Sequence, residues 1–553
     1  MKSNEGALVS AMQRYPHLKK YIDHHVKNTG KKPVYLLQLT RELEDAEFPD
    51  FLYPVEGPIF VHTYQAQGEL IKYMVIQPEL TKEEKRLYKT IVDSLVLLGL
   101  TRTDEPRSLD ELRTMLNEHM DELMIVGETA KSLKTALASI SPIKRIVVDP
   151  LQNENLRYHI INNLTGLGKI EPLMRDPWIE DISCTGLGAI FIIHKIFKSI
   201  ETNIFFKNDD ELDEMALKIS EKSLKPVTDS SPICDGSLPD GSRVNVLYTR
   251  DISKKGSSFS IRKFSAEPIS ITRLVEWNTI TSQMAAYLWL CVEYGMSIFI
   301  CGESACGKTS TLNALTGFIP AQAKVFSVED TPEVLVPQEC WQRLLTRSGS
   351  GKKGHNGVEM FDLLKAALRS RPNYIIPGEI RGEEGFVAFQ GIQTGHPVVS
   401  TFHASSVKAM LQRLTGRPIN IPLSTIDNLN VSVIQQGIRR GRKIIRRVIE
   451  LSEIERYSPE ANGILTRSMF EWNPVNDSFT FKGMFNSFIL EQKLAPVMGF
   501  EDIREIYAEM NFRAKVIDEM VKRGIFDFFK TAEIFSLYHE FGAKGLPFGV
   551  SGG

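Results

Sequence analysis

The sequence predicts an α/β protein, with a mainly parallel sheet in its C-terminal half preceded by an α+β region whose N-terminal part is helical. Three observations predict it. Beyond residue 270, apolar strand-like runs alternate with helix-like stretches: SIFIC, a helix, KVFSVED, LLKAALR, YIIPGE, a helix through Gln390, then PVVSTFHA. Between Trp178 and Phe206 the apolar runs IEDIS, AIFIIH and TNIFF are separated by turn residues, and the helix-like DDELDEMALKIS follows. The first 32 residues set Leu8, Met12, Leu18, Tyr21, Ile22 and Val26 at helical intervals.

Taken in order, residues 1–32 carry seven basic and two acidic side chains and are interrupted at Pro16, which reads as a basic, partly amphipathic segment in two pieces. Strand-like runs at Ile59–Thr63 and Ile71–Ile76 precede two capping boxes, Thr81 with Glu84 and Ser108 with Glu111, each opening a helix. The segments LPDGSRVNVLYTR and SSFSIRKFS read as strands and carry Arg243, Arg250 and Arg262. SAEPIS has the composition of a linker, and the chain from about Pro496 reads as helices ending in a Gly-rich tail. The expected domains are therefore 1–150, helical and mixed; 151–264, an α+β subdomain; a linker, 265–270; and 271–553, the parallel-sheet domain with C-terminal helices.

Composition narrows the function classes. A chain of 553 residues exceeds one ordinary core and calls for two or three folding units. Its 66 Lys and Arg balance 68 Asp and Glu, so no global charge excess points to nucleic acid. The six cysteines form no CxxC pair, and no histidine cluster stands at ligand spacing in the sequence, so neither a disulfide framework nor a zinc knuckle is expected. The most apolar window, Met284 to Ile300, is interrupted by Glu293 and Gly295 and reads as a buried helix and strand. The N-terminus lacks an apolar signal core, and a reducing cytosolic location is expected.

The sharpest motif is GESACGKTS, Gly302 to Ser310, which fits GxxxxGK[ST] and stands between a strand-like and a helix-like segment. In such a loop the backbone N–H groups of Gly302, Ser304, Ala305, Cys306, Gly307, Lys308, Thr309 and Ser310 form a nest for phosphates at a helix N-terminus. Lys308 is expected to reach the β and γ phosphates of ATP, and Thr309 to hold Mg2+. Three further boxes follow. VFSVEDTPE delivers Glu329 and Asp330 to a strand end, IIPGE delivers Glu379, and TGHPVVSTFHASS brackets a strand between His396 and His403.

In this order and spacing the boxes resemble the Walker A, aspartate, Walker B and histidine boxes of the secretion ATPase superfamily, which drives type II secretion, type IV pili and the archaellum. The resemblance runs over about residues 165 to 455. It implies a RecA-like ATPase domain, a homohexameric ring, and a Gly-Glu ending to the Walker B strand. In that frame Glu379 holds a magnesium-bound water, Glu329 orients or deprotonates the attacking water with Asp330 as its competitor, and His403 joins the site. The N-terminal domain of the family closes over ATP, which makes Arg243 and Arg262 candidates for the γ-phosphate.

The chain lacks the tetracysteine insert of bacterial type II enzymes and looks more like the archaeal branch. With YPVEGPIFVHTY and LLTRSGSGKKG it is most similar to the archaellum motor and assembly ATPase. That resemblance implies a polytopic membrane platform protein and accessory motor proteins as partners at the cytoplasmic membrane face. The +5 formal charge and apolar positions of residues 1–32 point either to docking on anionic lipid or a membrane partner, or to a helix packed on its own domain with a solvated basic face. The near-neutral chain without an aromatic-basic strand points to no nucleic acid. An archaeal pilus or secretion ATPase shares the same chemistry and is the alternative client. A nucleic-acid motor and a nucleotide-binding scaffold without turnover are the readings from other classes.

Overall fold

The computed structural model describes residues 4–550 apart from 41, 42, 45, 66–69, 102–105, 107, 128–144, 265–267, 348–356, 442 and 461. The chain divides into two compact units, Met1–Phe264 and Ser265–Gly553. Half of the expected linker, the whole SGSGKKG stretch and the last three residues of the Gly-rich tail lie outside the described residues.

The first unit opens with α1 (Glu5–Arg14) and α2 (Pro16–Thr29). Pro16 occupies the first turn of α2, where its missing N–H costs nothing, and Gly30 ends the helix at φ 72°. Leu8, Leu18 and Ile22 are buried against Tyr35, Leu52, Phe60 and Ile76. The apolar side of this segment is thus internal, which narrows the expected lipid contact to charge alone. Lys19, Lys20, Lys27, Lys31 and Lys32 remain exposed.

Strands β1 (Val34–Tyr35), β2 (Asp50–Glu56), β3 (Ile59–Tyr64) and β4 (Lys72–Ile76) follow. Helices α3 (Lys82–Thr101), α4 (Leu109–Leu123) and α5 (Pro150–Leu164) then form a helical layer with the short parallel pair β5 (Met124–Val126) and β6 (Ile146–Val148). The Thr81 box closes reciprocally, with Glu84 N–H on Thr81 Oγ1 at 3.2 Å and Thr81 N–H on Glu84 Oε2 at 2.7 Å. Strands β7 (Ile179–Cys184), β8 (Gly188–His194), β9 (Lys198–Phe206), β10 (Ile233–Ser237), β11 (Arg243–Leu247) and β12 (Ser258–Arg262) complete the unit, with α6 (Asp209–Lys222) between β9 and β10.

All but β5 and β6 belong to one ten-stranded sheet, in the order β1-β2-β3-β4-β9-β8-β7-β12-β11-β10. The join is the parallel pairing of β4 with β9, Lys72 opposite Glu201 and Tyr73 opposite Thr202. One sheet therefore runs through both 1–150 and 151–264, the segments that sequence composition separates. Asp176, fully buried, strengthens the join by accepting the hydroxyls of Tyr53 on β2 and Tyr73 on β4 at 2.7 and 2.6 Å.

The second unit has the expected RecA-like order. Its strands are β13 (Ile298–Gly302), β14 (Val325–Glu329), β15 (Trp341–Leu345), β16 (Tyr374–Pro377), β17 (Glu379–Ile380) and β18 (Val399–Phe402). The apolar window resolves into α7 (Ser282–Glu293), buried along its length, and β13. Among the described residues no helix is long and apolar enough to cross a membrane. The sheet order begins β17-β18-β13, and β15-β14-β16 adjoins it through the parallel bridge Ile375–Val398.

Four strands that alternation in the sequence does not announce extend the sheet: β19 (Val431–Arg440), β20 (Lys443–Ser458), β21 (Gly463–Asn473) and β22 (Ser478–Phe481). The last three are antiparallel to their neighbours, so the sheet is parallel only around the phosphate loop. The C-terminal helices Glu505–Lys522 and Phe528–Phe541 bury Ile506, Met510, Ile517 and Phe535 in the same core as α7.

Because Leu18 is fully buried, Leu18→Ala should lower the unfolding free energy of the first unit by about 2–5 kcal/mol. Urea denaturation checks this, with Lys19→Ala on the exposed side of α2 expected to leave the midpoint unchanged.

Candidate nucleotide site

The site forms where the parallel strands end. β13 pairs in parallel with β18 on one side and β19 on the other, Ile300 lying opposite Thr401 and Val433. The loop after it starts α8 (Lys308–Thr316). Two of its residues have left-handed backbone, Ala305 at φ 60° and Gly307 at φ 99°. At Gly302 a side chain is impossible as the structure stands, because a Cβ would lie 2.3 Å from the Gln435 carbonyl oxygen.

Gln435 is a support that sequence reasoning misses. Its Oε1 accepts from Thr311 Oγ1 at 2.7 Å and its Nε2 donates to the Cys306 carbonyl at 3.0 Å. Arg446 Nε donates to the Ala305 carbonyl at 3.3 Å from the neighbouring strand. The loop is thus held from β19 and β20, which lie more than 100 residues downstream. Lys308 is buried and folds back, donating from Nζ to the Glu303 carbonyl at 2.8 Å. The Thr309 hydroxyl donates to Glu333 Oε2 at 3.2 Å.

Glu333 is the second residue that box matching overlooks, and Glu329 explains its position. Glu329 is 1% exposed, and its Oε1 accepts the backbone N–H groups of Glu333 and Val334 at 2.7 and 2.6 Å. Those two bonds fold residues 330–334 back over the strand end. Its Oε2 faces Arg343 Nε at 3.5 Å, beyond good hydrogen-bond geometry. Burial pushes the Glu329 carboxyl up to about 7, opposed by the two backbone bonds and the Arg343 charge. Asp330 points outward instead and accepts the Thr346 hydroxyl at 3.0 Å.

The Gly-Glu ending of the Walker B strand has a steric reason here. A Cβ on Gly378 would approach Glu329 Cγ to 3.1 Å, so any larger residue would have to press the buried Glu329 side chain aside by a few tenths of an ångström. The same residue marks a switch of partner: β16 pairs with β14, while β17 pairs with β18, Glu379 opposite Thr401. Glu379 is half-buried, ion-paired with Arg381 and 2.7 Å from His403 Nε2. Burial holds His403 below the usual histidine range, against the pull of Glu379, and the Lys308 charge acts in the same direction as burial. The structure therefore gathers Lys308, Thr309, Glu333, Glu329, Glu379 and His403 along one edge of the sheet.

It does not gather all the candidates there. His396 precedes β18 and His403 follows it, so the two histidines stand at opposite ends of the strand, and His396 contacts Thr394 Oγ1 at 3.1 Å. Arg243 and Arg262 belong to the first unit, where they face each other across β11 and β12. Arg243 pairs with Asp235 at 3.1 Å and Arg262 with Asp181 at 3.1 Å.

This donor set fits a nucleoside triphosphate with its magnesium: an open backbone nest, an ammonium at its base, and a threonine hydroxyl already beside a carboxylate. The model of the "Type II/IV secretion system protein" family matches residues 163–446, just over half of the chain. The chain belongs to that family. A relative, the uncharacterised protein MJ0900 of Methanocaldococcus jannaschii, is 44% identical over 99% of both chains. VirB11 of Agrobacterium fabrum is 27% identical over 42% of this secretion-family chain and 74% of its own. The X-ray structure of the Legionella pneumophila ATPase DotB is similar to 66% of this chain over 93% of its own, at 16% identity and a TM-score of 0.38.

The raised Glu329 value makes a signed prediction. From about pH 4.5 to about 7 the unfolded chain loses this proton while the folded chain keeps it, so the Glu329 contribution to stability falls as pH rises through that window. Denaturation midpoints over that range should decline less steeply in Glu329→Gln, which keeps an oxygen for the two backbone donors. Identical slopes in both proteins would show that Glu329 titrates normally.

Proposed function

We propose that this secretion-family chain is an ATP-hydrolysing motor that assembles and rotates the archaellum. It works as a homohexamer at the cytoplasmic face of the membrane, on a polytopic platform protein and with accessory motor proteins. The observation that carries the enzymatic reading is the convergence of Lys308, Thr309 and three carboxylates on the end of one parallel sheet.

In this reading Lys308 exchanges the Glu303 carbonyl for the β and γ phosphates of ATP. Thr309 and Glu379 would hold Mg2+, which would supply charge neutralisation of the phosphates. Glu329 and Glu333 form the water-orienting pair, Glu333 at the open side of the site and Glu329 beneath it. A carboxyl pushed up to about 7 by burial suits proton acceptance near neutral pH. His403 keeps Glu379 in place from the neighbouring strand.

Support for the archaellum client comes from the sequence resemblance, carried by YPVEGPIFVHTY and the LLTRSGSGKKG stretch. The VirB11 similarity favours a second client of the same chemistry, an archaeal type IV pilus or type II-like secretion system. Contact with anionic lipid would use the exposed lysines of 1–32 without insertion of apolar side chains.

Lys308→Ala should leave the fold intact and reduce phosphate release by at least about 10²-fold. In a deletion strain the wild-type gene should restore swimming filaments and Lys308→Ala should not. Restored motility by the variant would sink the motor reading, whereas loss of adhesion pili alone would transfer it to the second client.

A separate expectation concerns the two arginines. We propose that on domain closure Arg243 and Arg262 leave their aspartates for the γ-phosphate, where such a group contributes roughly 10³ to 10⁵ in rate. Arg243→Lys or Arg262→Lys should bind ATP nearly as the wild type does and hydrolyse it poorly, because lysine lacks the planar fork. Single-turnover rates within about twofold of wild type in both variants would leave the arginines as strand cations.

A further inference from the structure

No metal-ligand cluster is visible in the spacing of the sequence, yet the fold assembles one in the first unit, far from the phosphate loop in the chain. His25 on α2, Asp50 at the start of β2 and His62 within β3 each offer a ligand atom, and these atoms all lie within 4.8 Å of one another. His62 is fully buried, whereas His25 and Asp50 are only partly so, leaving the group open on one side.

The arrangement around His62 is that of a ligand with an outer partner. Its Nε2 stands 2.7 Å from Asp50 Oδ1, and its Nδ1 stands 2.8 Å from the Tyr21 hydroxyl. Tyr21 and His25 are four residues apart on α2, so one helix face supplies both a ligand and the group that orients another. Tyr64, paired with Asp50 across the hairpin, stacks on His62 at 4.9 Å and meets the His25 ring at 5.9 Å. A hydrogen-bonded His–Asp pair alone does not call for a second imidazole. Here the His25 ring stands edge-on to His62, with centroids 4.7 Å apart, and converges on the same carboxylate.

We propose that His25, Asp50 and His62 form a binding site for a divalent first-row transition metal, fastening α2 to the β2–β3 hairpin. Two imidazole nitrogens and one carboxylate oxygen make a donor set suited to zinc, with a fourth position for water. In the loaded site the neutral His62 ring carries its proton on Nδ1 and donates it to the Tyr21 oxygen, leaving Nε2 for the ion. Two ligands on one tetrahedral zinc ion stand roughly 3.3 Å apart, given bonds of about 2.0 Å. Loading therefore moves the partly exposed Asp50 slightly away from His62.

The test uses the full-length protein, stripped with a chelator and freed of any affinity tag. Titration with Co2+ should give visible ligand-field bands that saturate at one equivalent per chain, and Zn2+ should displace it. His25→Ala should lose the bands and weaken Zn2+ binding at least about tenfold, with unchanged circular dichroism. Tyr21→Phe should weaken it by about 10- to 100-fold. His24→Ala, altered at the exposed neighbour of His25, should match the wild type. No uptake by the wild-type protein, or the same cobalt spectrum and zinc affinity in His25→Ala, would overturn the proposal.

Discussion

Beneath the nucleotide loop, a glutamate with almost no exposed surface accepts two backbone N–H groups from the turn that follows its own strand. The burial of Glu329 is unfavourable in isolation, and the two bonds with the nearby Arg343 charge offset part of it. Several groups on that edge of the sheet depend on it. The turn it holds brings Glu333 to the hydroxyl of Thr309. The space it occupies crowds any side chain at residue 378, and Glu379 follows directly where the strand changes partner. One buried carboxylate thereby links the aspartate box, the phosphate loop and the Walker B strand.

The same device recurs in the first unit with other chemistry. Asp176 gathers the hydroxyls of Tyr53 and Tyr73, so that hairpin strands from the first 80 residues continue the sheet formed by residues 179–262. His62 gathers Tyr21 and Asp50 and ties α2 to that hairpin. In each case an apolar core sets which faces are inside, and a buried polar group sets which elements meet. A hydrophobic contact tolerates sliding, whereas a buried acceptor has to find its donors at about 2.7–3.2 Å.

Local signals in the sequence carried a good part of this. The strand–GxxxxGKT–helix segment specifies its own conformation, because glycine permits the left-handed turn at 307 and the apolar run before it can only be a buried strand. The Thr81 capping box closes as its spacing demands, and Pro16 divides the first two helices. The alternation of strands and helices after residue 270 gives the parallel sheet, since each helix returns the chain to the same end of the next strand. What failed to show in the sequence depended on distant partners. Strand β19 lacks a clear two-residue alternation, as its burial falls along one end of the strand rather than one face.

The chain by itself thus determined a phosphate loop, the strand ends that present Glu329, Glu379 and His403, and membership of a family built on those boxes. These features reside in contiguous residues whose spacing is fixed by the backbone. The tertiary structure alone decided that Glu333, not Asp330, meets Thr309, that Gln435 and Arg446 brace the loop, and that His396 stands away from His403. It also brought His25, Asp50 and His62 together, and it buried the apolar side of α2. Such choices rest on which surfaces pack and which buried polar atoms find partners, and those are settled between residues that sequence spacing leaves independent.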